Sequence, residues 1–249
     1  MRSSVFANSP RSVYLLALSL RLIPILFSYD LSIGLDDMFQ YDMLARSIVA
    51  GTGYRWYAQE DLDMISDYLP MEIPAYVDPR GVLTSHRAPG YPLFLALVYG
   101  ITGTGEHRFF LARLAQACLT ALIAPLTLLL AKEAGFQEPT ARWSAVGMAI
   151  YSLLIAYPLA LVSENLFIVL VALLLLLLIR AMQRQIWLDA LLAGVVLGLA
   201  ALTRSVISGF LIFMLAALWT QTRERRLAWR NCAVLTIGFL LMTIPWMVR

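Results

Sequence analysis

Six residues that could carry chemistry stand at the margins of apolar runs. Asp36 and Asp37 follow the first run, His86 and Arg87 precede a Pro-Gly-Tyr-Pro segment, Glu164 opens a long run and Arg204 follows another. A carboxylate can take the proton from an acceptor hydroxyl. Arginines can grip a phosphate leaving group and stabilise the charge it gains. Both together at one membrane face fit group transfer from a lipid phosphate: charges cost less at the membrane boundary than at its centre, but a convergent set points to function. Each residue also has a plainer role. Asp36 can cap the helix that follows it, and Asp37 can be an exposed loop acid. Glu164 can favour its helix start through the dipole. Arg204 can snorkel, Arg87 can touch lipid headgroups, and His86 can make a simple hydrogen bond in solvent. Arg21, inside the first run, reads as paired between helices or snorkelling rather than catalytic.

The elements that must position this set are membrane helices. The chain has 249 residues, 60% hydrophobic and only 14% charged, with mean hydropathy +0.74. Soluble domains average about 25% charged residues, so composition implies a multi-pass membrane protein. The net charge of +3 is carried by dispersed clusters at short junctions: Arg2 and Arg11, Lys132 and Arg142, Arg180 and Arg184, and Arg223 to Arg230. These read as orientation signals and headgroup contacts, not as a nucleic-acid surface. Cys118 and Cys232 lie in apolar runs without metal or redox spacing and read as buried membrane-helix residues. No small-residue cleavage site follows the first run, so it reads as an uncleaved helix.

Charge bias settles the expected topology. The run from Pro89 to Gly103 is short of the roughly 20 residues that span a bilayer. If it crossed, the three later basic clusters would face outside. If it lies along the membrane, all of them fall inside with Arg2 and Arg11, as the positive-inside rule requires. The expected fold is therefore an all-α membrane protein with seven transmembrane helices. They cover about Val13–Ile33, Phe109–Ala131, Trp143–Leu161, Glu164–Ile179, Ile186–Leu202, Val206–Thr220 and Asn231–Val248. The long first external loop, residues 34–108, contains juxtamembrane helices and holds ten of the sixteen carboxylates, so acid chemistry is expected there. Met38–Ala50 predicts an amphipathic helix ended by Gly51 and Gly53, and Glu60–Pro79 predicts an irregular surface loop. The leucines at 173–178 read as lipid-facing. The N-terminus is expected in the cytoplasm and the site outside a plasma membrane.

In this order and spacing, the residues resemble the type-C fold membrane glycosyltransferases, nearest to the protein O-mannosyltransferases and lipid A aminoarabinose transferases. Asp37, Tyr41 and Ala45 match that group's acid, tyrosine and small residue after helix one, and Arg46 matches a basic position used in part of it. Arg87-Ala88-Pro89-Gly90-Tyr91-Pro92 matches its basic residue before a Pro-rich aromatic segment. Ser163-Glu164-Asn165 matches its external acid. Gly194, Gly198 and Leu202-Thr203-Arg204 match its Gly-rich helix ending in Thr and a base, and Ile244-Pro245-Trp246 its seventh-helix end. The resemblance implies an inverting glycosyltransferase that moves a sugar from a polyprenyl-phosphate donor to an acceptor hydroxyl. Asp37 would be the base. Arg87, Arg204 and Arg46 would bind the donor phosphate. Asp36, Tyr41, His86, Tyr91 and Glu164 would position donor or acceptor.

The partners implied are the lipid-linked sugar, the surrounding lipid and an acceptor of unknown kind. Some relatives use a divalent metal. This sequence displays no ligand set for one, so the cofactor is unknown. Relatives continue past helix seven, whereas this chain stops at Arg249, so residues 1–249 are expected to be a single module, either a fragment or the conserved part alone. Two other classes compete. A transporter would carry ionisable residues near mid-span or paired broken helices, and only Arg21 approaches that. A non-catalytic scaffold subunit would keep the fold without the activity.

Overall fold

Apolar runs in the sequence become helices, and their boundaries follow local chemistry. A computed structural model describes residues 9–66 and 78–249. Helix α1 (Pro10–Leu26) starts at Ser9, whose side chain accepts the Ser12 N–H, and stops well before the expected Ile33. Pro24 lies inside its last turn, where the missing N–H leaves the Leu20 carbonyl without its helix donor. The expected second span is continuous in direction but broken at Leu122 into α5 (Arg108–Ala121) and α6 (Ile123–Glu133), because Pro125 cannot donate to the Ala121 carbonyl. The third is shorter than expected. Helix α7 (Glu138–Ile150) breaks at extended Tyr151, and α8 (Ser152–Ala156) and a 3₁₀ turn at Tyr157–Leu159 complete the passage around Pro158.

Four helices then follow. These are α9 (Glu164–Arg184), α10 (Trp187–Thr203), α11 (Phe210–Gln221), preceded by a 3₁₀ turn at Ser205–Gly209, and α12 (Arg225–Met247). Among the described residues, Arg108–Glu133, Glu164–Arg184 and Arg225–Met247 are long and apolar enough to cross a membrane. Gly90–Thr102, Trp187–Thr203 and Ser205–Gln221 are shorter apolar helices.

The described residues of the segment 34–108 form more regular structure than a loop. They hold α2 (Asp37–Val49), α3 (Gln59–Ser66) and α4 (Gly90–Thr102), with a two-residue antiparallel pair between β1 (Arg55–Trp56) and β2 (Val82–Leu83). Helix α3 corrects the expected irregular stretch at Glu60–Pro79. Glu60 and Asp61 stand in its first turn, where the helix dipole favours them, and buried Leu62 and Ile65 give it an apolar face. Residues 67–77 of that stretch lie outside the described residues. At 13 residues, α4 is about 20 Å long, too short for a hydrocarbon core of about 30 Å.

Packing decides three further points. Gly194 of α10 and Gly238 of α12 face each other's helix backbones, and a Cβ at either would collide with the Leu235 or Leu191 carbonyl. The two helices therefore touch along their backbones, as small residues permit. The leucine run is not lipid-facing. Leu174, Leu176, Leu177 and Leu178 are buried, and three of them join the core that α9 shares with α10, α11 and α12. Cys118, expected to be buried, is exposed on α5, while Cys232 is half-buried and its Sγ lies 3.7 Å from the Leu215 carbonyl.

Arg21 is fully buried. Its guanidinium donates to the Ala17 carbonyl at 2.9 Å, to Ala149 at 3.3 Å and to Met148 at 3.5 Å. The last two carbonyls belong to the final turn of α7, which has lost its helix donors. Arg113, also buried, donates to the carbonyls of Ser28, Leu31, Ser32 and Leu159. It thus ties the chain after α1 to the turn before α9.

Candidate active site

Three helix ends meet at one surface. Helix α2 begins at Asp37, with Asp36 as its cap: the Asp36 Oδ1 accepts the Met38 N–H at 2.9 Å. The adjacent acids therefore divide their tasks, one holding the helix end and the other projecting from its first turn. Helix α9 begins at Glu164, at the positive end of its dipole. Helix α10 ends at Thr203. Arg204 leaves it with extended backbone, and its N–H still donates to the Ala200 carbonyl at 2.8 Å.

Gly90 sets how closely these ends approach. A Cβ there would lie 2.6 Å from Thr203 Oγ1 and 2.9 Å from the Leu202 carbonyl oxygen. Only glycine lets the start of α4 lie against the end of α10, which brings the Arg87 segment beside Arg204.

The result is a cavity of about 340 Å³ with two carboxylate–arginine pairs on its walls. Arg87 pairs with Asp37, donates from Nε to Gln40 Oε1 at 2.7 Å, and lies over the Tyr41 ring with 5.6 Å to its centroid. Arg204 pairs with Glu164 and lies 5.9 Å from the Phe167 centroid. His86, Ser163 and Thr203 also line the cavity. Solvent exposure separates these acids from their neighbours. The Asp37 side chain is 55% exposed and that of Glu164 41%, whereas Asp42 is at 0%. Only the first two can meet a ligand. Beside the polar cavity runs an apolar groove of about 220 Å³, lined by Leu154, Phe167, Ile168 and Val171, and Glu164 borders both.

Of the nine residues singled out from sequence, six line the cavity: Asp37, Tyr41, His86, Arg87, Glu164 and Arg204. The other three sit elsewhere. Asp36 is the helix cap. Tyr91 is fully buried beneath Tyr41, its ring edge-on at 4.9 Å and its hydroxyl donating to Gln116. Arg46 lines a different cavity and is held by Asp42, at 2.9 Å, and by Asp61. Burial disfavours its charge, but the two carboxylates outweigh that and hold its guanidinium above the ordinary range. Asp42 also accepts from Arg108 Nε and from the Tyr99 hydroxyl, each at 2.9 Å. This buried network braces α2 against α3, α4 and α5.

Gln40, Ser163 and Thr203 were not foreseen as site residues. Gln40 was the legible one, since it lies three residues after Asp37 and so shares its helix face. Among the described residues no three His, Cys, Asp or Glu side chains gather as a metal-ligand set. The site acids are each engaged by an arginine.

The sequence profile of the family described as dolichyl-phosphate-mannose-protein mannosyltransferase matches residues 86–248, more than half of the chain. The chain belongs to this family. It is a membrane glycosyltransferase of the group that its site residues resemble. The match contains Arg87, Glu164 and Arg204 and begins after Asp37. No curated protein and no solved structure matches the chain.

Proposed function

We propose that this glycosyltransferase moves a sugar from a polyprenyl-phosphate donor to an acceptor hydroxyl, with inversion, at the external face of a plasma membrane. The observation that carries the reading is the pair of arginines, each with a carboxylate, across one cavity that abuts an apolar groove. The cavity suits a phosphate and a sugar, and the groove suits the first isoprene units. In the reaction, the acceptor O–H passes its proton to the Asp37 carboxylate. The freed oxygen pair forms a bond to the anomeric carbon from the face opposite the phosphate. The carbon–oxygen bond to phosphate breaks, and polyprenyl phosphate leaves with the electron pair. Arg87 and Arg204 neutralise the charge that grows on it. Glu164 positions the donor and keeps Arg204 aimed into the cavity, and His86 and Tyr41 line the sugar's side.

The family description favours mannose as the sugar and a protein hydroxyl as the acceptor. The topology belongs to the same proposal: seven spans, a cytoplasmic N-terminus, α4 lying along the membrane, and one module over residues 1–249. Under it, Asp37, Arg87, Glu164 and Arg204 share one side and the basic clusters the other. The test is Asp37→Asn in purified protein supplied with polyprenyl-phosphate mannose and a Ser/Thr peptide. Loss of the base is expected to lower kcat by about 10²–10⁴-fold while the fold persists. Full retained transfer would refute the assignment.

A further inference from the structure

Arg87 hangs on a segment with little regular hydrogen bonding of its own. It lies between β2 and α4, just before Pro89. In a helix the Ala88 carbonyl would accept from the residue four positions on, but that residue is Pro92, which has no N–H. Tyr54 supplies what is missing. Its hydroxyl donates to the carbonyls of Arg87, at 3.1 Å, and Ala88, at 3.3 Å. Its own carbonyl accepts the Thr84 N–H at 3.2 Å. Both ends of the stretch from Thr84 to Ala88 are thus tied to one residue. Tyr54 is in turn gripped by the end of α12. Its buried ring meets Trp246 edge-on at 4.9 Å and lies beneath the Arg249 guanidinium, 5.1 Å from its centroid. Burial pushes the phenol far above its ordinary range, so it stays a donor at neutral pH.

From this geometry we propose that Tyr54 is a positioning residue for the transfer reaction, holding Arg87 in place through the backbone and itself held by Trp246 and Arg249. The inference rests on Arg87 being a ligand of the donor phosphate. Tyr54 does not line the cavity, so it acts only through the segment it clamps. A guanidinium fork serves its ligand only when aligned, and misplacement by about 1 Å can cost about 10²-fold in rate.

Tyr54→Phe in the full chain tests this, because it keeps the ring packing and removes the hydroxyl alone. Amide exchange of the Thr84–Tyr91 peptide is expected to quicken about fivefold, the equivalent of one lost hydrogen bond, with α9 and α10 peptides unchanged. Unchanged exchange at Thr84–Tyr91 overturns the clamp. In transfer from polyprenyl-phosphate mannose, Tyr54→Phe is expected to lower kcat/KM about tenfold. In an Arg87→Ala background it should lower it less than about twofold, because coupled residues do not add. An equal loss in both backgrounds overturns the positioning role. Exchange reports on the clamp whatever the reaction is. Faster exchange in a chain whose wild type transfers no sugar therefore overturns the functional reading and leaves the clamp standing.

Discussion

Gly90→Ala should impair this enzyme although residue 90 carries no functional group. The added methyl would stand 2.9 Å from the Leu202 carbonyl oxygen and 2.6 Å from Thr203 Oγ1, where ordinary contact begins near 3.4 Å. Neither neighbour gives way easily. The Leu202 carbonyl is helix backbone, and the Thr203 hydroxyl is engaged with the Leu199 carbonyl at 2.9 Å. The start of α4 must therefore retreat from α10 by about 0.5 Å against the backbone oxygen alone, and it carries Arg87, three residues upstream, with it. Overpacking of this kind costs about 1–3 kcal/mol, and each kcal/mol lowers Tm by roughly 2–4 °C in a chain of this size. A displacement of half the ~1 Å that costs about 10²-fold predicts roughly tenfold lower kcat/KM. The assays are thermal unfolding and sugar transfer in the same detergent. Adding Thr203→Ala should recover only part of the loss, because the backbone oxygen remains. Wild-type Tm and kcat/KM in Gly90→Ala would refute the view that close contact between α4 and α10 sets the distance from Arg87 to Arg204.

Three further outcomes follow from particular side chains. On the proposed reading, in which Arg204 holds the donor phosphate, Arg204→Gln removes one charged hydrogen-bond donor, worth about 1.5–3 kcal/mol. It should lower kcat/KM by roughly 10–100-fold in transfer assays while far-UV circular dichroism is unchanged. Asp42→Ala leaves Arg46, Arg108 and Tyr99 without their shared buried acceptor. Breaking a buried pair typically costs about 3–5 kcal/mol, so thermal unfolding should shift downward far more than for Asp36→Ala, which loses a cap worth about 1 kcal/mol. Asp78 is held down to a pKa of about 2 by hydrogen bonds from Arg80 and the charge of Arg55. A depressed carboxylate stabilises the fold above its unfolded pKa, near 3.9, and loses that effect as pH falls through its folded value. The Tm difference between wild type and Asp78→Asn should therefore shrink between about pH 4 and pH 2, and a constant difference across that window would contradict the pairing.

Much of the helical content was legible because burial in lipid demands long apolar runs whatever the tertiary fold. Both ends of α2, α4 and α10, the start of α9 and the end of α12 lie close to where caps, prolines and charges predicted them, whereas α9 runs on to Arg184 and α12 already begins at Arg225. The third expected span broke instead, since Tyr151 and Pro158 act on the backbone locally and hydropathy averages over them. Helix α3 was missed because three prolines follow it closely in sequence and its stabilising contact is remote: buried Ile65 packs against Phe39 and Met43 of α2. The leucine run was misread because hydropathy cannot tell a lipid neighbour from a helix neighbour.

Residue type and order alone determined that this chain is a membrane protein with carboxylates and arginines at helix ends, and they pointed to the family. They offered Asp36 as a cap and Asp37 as the base, but could not show which of the two faces a ligand, nor separate Arg46 from Arg87 as phosphate ligands. Those pairs share charge and neighbourhood in sequence and differ only in what they touch. Asp36 spends its carboxylate on a cap. Arg46 is consumed by Asp42 and Asp61, whereas Arg87 and Arg204 meet partners 50 and 40 positions away across a cavity. Pairing over such separations depends on how helices pack, here on the glycine at position 90 that lets α4 approach α10. Tertiary structure therefore decided which charges face the cavity.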